Sequence, residues 1–185
     1  MPTYVVFLRA INLGARRKVP MADLRGVLTE AGYDDVETHI QTGNVKLRSS
    51  TRRVAEVEAG LETLLAATFG FEIPSIVFTE TELRAVHDDA RGFAPGRGLT
   101  GEKRYVNLFK SGESPSGVDA EAMAGWDEPG EACQVIGRAV HVWLDGSMME
   151  AKLFNAFKKP LAPGTNRNLT VLDAVVEKWL PQKRK

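Results

Sequence analysis

Cysteine is almost missing from this chain: Cys133 is the one example in 185 residues. An intramolecular disulfide and a CxxC zinc or redox site are thereby excluded, and a reducing cytoplasm is the compartment that fits. Histidine is nearly as scarce. His39, His87 and His141 lie far apart, and none has the spacing of a zinc site. No apolar run approaches the ~20 residues of a membrane span. The amino terminus, Met1-Pro2-Thr3-Tyr4, leads straight into an apolar segment with no basic leader or small-residue cleavage site, so no membrane partner is expected. Net charge is also lacking. Twenty-four basic and 24 acidic residues cancel, which removes the simplest argument for a nucleic-acid or membrane-surface protein. There is no GxSxG nucleophile elbow either.

What is present is ordinary core material. The chain is 43% hydrophobic with three Trp and eight Phe, and a protein of this length buries roughly 70% of its unfolded surface. The zero charge conceals opposed segments. Residues 1–22 hold four basic and no acidic side chains, and residues 152–185 hold eight basic and two acidic. The middle is strongly acidic, so neutrality excludes a uniformly basic protein without excluding a basic site.

Hydrophobic periodicity predicts an α+β fold. Thr3 to Ala10 reads as a buried strand, Pro20 starts a helix carrying Met21, Leu24, Val27 and Leu28, and Val36–Gln41 and Val45–Arg48 form a hairpin around Thr42-Gly43-Asn44. A second helix follows through Val57, Leu61 and Leu65, and then a strand at Ile73–Phe78 whose Pro74 suits an edge. This β-α-β-β-α-β order is the ferredoxin-like pattern. Thr79-Glu80-Thr81-Glu82 has capping-box spacing and opens a further short helix. The glycine- and proline-rich stretch beyond it reads as a linker. The expected organisation is a ferredoxin-like subdomain at 1–90, a linker or loop at 91–103, and a second, smaller α+β subdomain at 104–185. The last contains a strand at Arg104–Phe109, a hairpin turning at Gly137-Arg138, a helix through Met149, Leu153 and Phe157, and a final helix through Leu172, Val176 and Trp179. No fixed-period repeat is evident.

Few motifs carry chemistry. Gly96-Arg97-Gly98-Leu99-Thr100-Gly101 matches GxGxxG, but a strand follows it where a helix would have to start, so no dinucleotide or other cofactor is expected. It fails as a P-loop because Glu102 stands at the lysine position. His39 should project from its strand beside Gln41 and reads as an exposed strand histidine, and Cys133 reads as a small buried apolar residue. Asp34-Asp35 and Asp88-Asp89 sit at turns or helix ends and assign no hydrolytic carboxylate pair. The loop Ile11–Val19, with Arg9, Arg16, Arg17 and Lys18 around it, is the first feature above background. Guanidinium groups and helix-terminal amides there suit a phosphate or carboxylate.

Three motifs together resemble a known family: Leu8-Arg9-Ala10-Ile11-Asn12-Leu13-Gly14 leading to Lys18-Val19-Pro20-Met21, then Ile40-Gln41-Thr42-Gly43-Asn44-Val45, and Thr165-Asn166-Arg167-Asn168-Leu169-Thr170. They are similar to the bacterial family catalogued as domain of unknown function 1697. Ala10, Thr42 and Leu169 depart from its Gly, Ser and Trp, and Leu169 weakens any role for a stacking ring there. The resemblance implies an α+β fold with a ferredoxin-like first subdomain, and no activity. Three readings of function therefore stand. The leading one is a small anionic ligand, such as a nucleotide or phosphorylated metabolite, held between the subdomains by Arg9, Asn12, Gly14, Lys18, Gln41, Gly43, Asn44, Thr165, Arg167 and Asn168. A non-catalytic interaction or scaffold protein is the alternative, with those residues serving turns and caps. A nucleic-acid module is the least favoured partner class, since Asn44–Arg48 offers no aromatic for base stacking. Neither a reaction nor an oligomeric state is specified.

Overall fold

In the computed structural model, residues 1–95, 98–101 and 103–180 are described. They form a mixed α+β fold with two antiparallel four-stranded sheets. The chain divides into two compact units, Met1–Leu83 with the segment from Lys178 onward, and Arg84–Glu177.

The first unit runs β1 (Thr3–Leu8), α1 (Met21–Glu30), β2 (Asp34–His39), β3 (Asn44–Arg48), α2 (Val54–Phe69) and β4 (Ser75–Thr79), from which α3 (Glu80–Gly92) continues into the second. The sheet order is β2-β3-β1-β4. Both faces of β1 are buried, which is why its sequence is a continuous apolar run instead of an alternating one. Tyr4, Val6 and Leu8 meet Leu24 and Leu28 of α1 and Leu61 and Leu65 of α2 in one core. The expected edge strand is β4. The expected capping box is also present: Glu82 Oε2 accepts Thr79 N–H and the Thr79 hydroxyl, each at 2.8 Å, and Thr79 Oγ1 accepts Glu82 N–H at 3.3 Å. A β-bulge the pattern did not announce lies between Asp34 and Glu37, where Asp35 takes φ 51.

The second unit contains β5 (Lys103–Leu108), α4 (Gly117–Ala124), β6 (Glu131–Ile136), β7 (Ala139–Leu144), α5 (Lys152–Ala156), α6 (Lys158–Leu161), β8 (Thr165–Asn168) and α7 (Leu169–Trp179). Its sheet order is β6-β7-β5-β8. Strand β8 was not expected: Thr-Asn-Arg-Asn has no strand pattern, yet it pairs antiparallel with β5 from Leu108↔Thr165 to Tyr105↔Asn168. The expected helix through Met149 is shorter, starting at Lys152. It breaks at Phe157 (φ −102, ψ 25) before Pro160 is reached.

The two units repeat one topology although the sequence has no fixed period. In each, strand, helix, strand and strand follow in order, then one helix (α2) in the first unit and two short ones (α5 and α6) in the second, then a fourth strand leading into a helix; the third strand lies beside the first. The register repeats too. Tyr4 lies opposite Thr79 at the start of α3, and Tyr105 lies opposite Asn168 at the start of α7. The unit boundary falls at Leu83–Arg84, inside α3, and not in the glycine-rich stretch at 91–103, of which residues 96, 97 and 102 lie outside the described ones. Within that stretch, Phe93 and Gly101 contact residues of the second unit. Gly101 N–H donates to Asp145 Oδ1 at 2.6 Å, and the Phe93 ring lies against His141 and Trp143 at centroid distances of 6.3 and 6.2 Å.

Candidate functional site

In the first unit the two amino-terminal motifs meet. Pairing of β1 with β3 brings the end of one strand beside the start of the other, and Leu8 N–H donates to Gly43 C=O at 2.8 Å. Asn12 then ties three segments together. Its Nδ2 donates to Val19 C=O at 3.1 Å and Gln41 C=O at 2.8 Å, while its Oδ1 accepts Val19 N–H at 2.8 Å. Asn44, fully buried, donates to His39 C=O at 3.0 Å and Thr42 Oγ1 at 3.1 Å. Gly43 fits where a side chain cannot: at φ 78, an added Cβ would stand 2.8 Å from Leu8 Cβ and 2.7 Å from Ile11 Cδ1.

This junction is strained. Five non-glycine residues have positive φ among the described ones, and Ala10, Asn12, Arg17 and Ile40 are four of them. Side-chain bonds to the backbone hold Ala10, Asn12 and Arg17. Arg17 donates from Nε to Ala10 C=O at 2.7 Å and from Nη2 to Glu72 C=O at 2.5 Å, over the Phe71 ring at 4.7 Å. Arg9 contributes a backbone N–H to Pro74 C=O at 2.9 Å, with its side chain half-buried, and Gly14 and Lys18 are exposed on the loop. On the neighbouring edge strand, Glu37 accepts Lys46 at 2.5 Å and Trp179 Nε1 at 3.0 Å. The Lys46 hydrogen bond, with that of Trp179, holds the Glu37 carboxyl down at about 2. His39 is half-buried, edge-on to Trp179 at 6.3 Å.

In the second unit, Thr165 and Arg167 are buried along β8. Arg167 Nη1 donates to Thr165 Oγ1 at 2.9 Å and to Asn166 C=O at 2.7 Å, and burial pushes its guanidinium down to about 10. Asn168 caps α7, its Oδ1 accepting Val171 N–H at 2.8 Å. It also lines a pocket of about 390 Å³ with Arg91, Lys103, Arg104, Tyr105 and Asp173, completed by Leu169 and Thr170 in the first turn of α7. The Arg104 guanidinium is stacked on the Trp143 ring at 3.8 Å, an arrangement that fixes a cation without neutralising it. Asp173 is engaged by Arg91 and by His87. Sequence reasoning named Asn168 and missed the rest of the pocket. The adjacent Lys103-Arg104 pair was the available signal, but placing it beside the start of α7 requires the β5–β8 pairing.

Other candidates take structural roles. Burial pushes the Cys133 thiol up to about 12, and its Sγ donates to Met123 C=O at 3.4 Å. In the GxGxxG stretch, Gly96 and Arg97 lie outside the described residues, and the amide of Gly101 is already bonded to the Asp145 carboxylate. Among the described residues no cluster of His, Cys, Asp and Glu could hold a metal ion, and no helix is long and apolar enough to cross a membrane.

Fold and pocket together define a two-unit α+β protein with a basic cavity on its second unit. Residues 1–141 match the family model described as "Protein of unknown function (DUF1697)", and the chain belongs to that family. The Thr165–Thr170 motif lies beyond the matched residues. Among solved structures it is similar to the conserved bacterial protein SP0830 from Streptococcus pneumoniae, at 22% identity and a TM-score of 0.72, over 95% of this chain and 97% of that one. That likeness concerns the fold. No curated protein matches.

Proposed function

We propose that the protein binds a small anionic ligand of the nucleotide or phosphorylated-metabolite class in the pocket of its second unit. The observation that carries this reading is a difference between equivalent helix starts. At the start of α3, the Glu82 carboxylate fills the position that attracts negative charge, bonded to Thr79. At the start of α7, Val171 stands three residues after the cap, where Glu82 stands in α3, and the lining instead supplies Arg91, Lys103 and Arg104. With one acidic side chain, Asp173, against three basic ones, the lining suits an anion. Its volume suits a small organic molecule.

The first-unit motifs favour a different role. Asn12, Gly43 and Asn44 serve the backbone of a strained junction, which supports the scaffold reading for that segment. We read the first unit's βαββαβ order as ferredoxin-like, and a cytoplasmic setting as the one that suits a chain with a single buried cysteine. A thermal-shift screen of nucleotides and phosphorylated metabolites tests the ligand. A stabilising compound whose effect is lost in Arg104→Ala and retained in Lys18→Ala is the expected result. Shifts indifferent to Arg104, or abolished by Lys18→Ala, would place the reading in the wrong unit.

A further inference from the structure

We infer that His87 sets the charge of this pocket through Asp173, so that anion affinity rises as the imidazole takes up a proton; the inference rests on the anion reading of the pocket. Asp173 lines the cavity and is held from α3 by two residues one helical turn apart. Its Oδ1 lies 2.8 Å from His87 Nε2 and accepts Arg91 Nε at 3.0 Å, while its Oδ2 lies 2.7 Å from Arg91 Nη2. Two donors therefore meet on one oxygen.

The charge of this trio depends on the ring. With neutral imidazole, Asp173 cancels Arg91 and the trio is neutral; Lys103 and Arg104 are the other cations of the lining. With imidazolium the trio carries one positive charge. The stronger donor on Oδ1 also competes with Arg91 Nε, releasing the guanidinium toward the cavity. The geometry limits escape of that charge to solvent: the side chain of His87 is 18% exposed and that of Asp173 28%. Asp88 of the same helix also faces the ring, 3.8 Å from Nδ1, and at 83% exposed it is screened by water. From α7 the charged group that faces the ring, among the described residues, is Asp173. Histidine is the side chain whose charge changes in the physiological range, which gives the trio a reason to contain one. A unit charge roughly 7 Å from a dianion, at near-aqueous dielectric, changes its affinity by about tenfold.

The test uses sulfate, a dianion throughout the range, titrated calorimetrically into the full-length protein at about pH 8 and pH 5.5 and constant ionic strength. Affinity about tenfold higher at the lower pH in the wild type, with the dependence gone in His87→Gln, is the expected result. An unchanged slope in His87→Gln, or a flat wild type that still binds sulfate, overturns the role of His87. Absence of sulfate binding at both pH values removes the anion reading itself. The same coupling is readable without a variant, because it is reciprocal: sulfate must move the NMR titration of the His87 ring to higher pH, and an unmoved titration refutes the inference.

Discussion

Replacing Asn12 with alanine should show what the amino-terminal motif is for. The side chain makes three hydrogen bonds, to both main-chain groups of Val19 and to Gln41 C=O, joining the loop after β1 to the β2–β3 turn. Each such bond contributes about 1 kcal/mol net. Asn12 also holds φ 54, a conformation that asparagine tolerates and that costs alanine roughly 1 kcal/mol. The expected loss is therefore about 3–4 kcal/mol in urea denaturation, or roughly 6–16 °C in Tm for a protein of this size. Asn12→Gly separates the terms. It loses the same bonds without the left-handed strain and should be about 1 kcal/mol milder than alanine, less whatever flexibility glycine adds to the unfolded chain. An alanine variant within about 0.5 kcal/mol of wild type would show that these bonds do not hold the junction together. A variant of full stability that had lost ligand binding would refute the architectural reading of Asn12.

Two further predictions concern the first unit. Gly43→Ala should cost more than about 3 kcal/mol, because positive φ combines with overlap against Leu8 in a core strand. Gly14→Ala, at φ 64 but facing open space, should cost about 1 kcal/mol, so equal costs would show that the close approach at Gly43 is unimportant. Glu37 supplies a pH dependence. Its folded-state carboxyl is lowered from the ordinary 4.5 to about 2, so its contribution is complete above the unfolded value and is lost as pH falls between the two. Urea midpoints measured across that window should fall more steeply for the wild type than for Lys46→Met, and parallel slopes would contradict the pairing.

The sequence was informative where local chemistry decides structure. The apolar run of β1, the Pro20 start of α1 and the Thr79–Glu82 capping box all depend on neighbours within a few residues, and all are present. Strand β8 was hidden because its four residues are polar and owe their extended conformation to β5, whose partners lie some 60 residues earlier. The same pairing conceals the pocket: Lys103 and Arg104 become neighbours of Thr170 and Asp173 through it. The repeated topology was invisible for a related reason. A sheet specifies where apolar and capping residues stand, not which ones, so Thr79 and Asn168 perform one task without resembling each other. Asn12 and Gln41 were suspected of acting together, and their meeting follows from a β1–β3 register that spacing alone does not supply.

Amide chemical-shift mapping during a phosphate titration tests the central claim most directly. An anion in the pocket should perturb the amides of Lys103, Arg104 and Tyr105 together with those of Leu169, Thr170 and Val171, in a saturable manner that Arg104→Ala weakens about tenfold or more. Perturbations confined to the loop from Arg9 to Val19, or none at these six amides, would contradict the assignment of anion binding to the second unit.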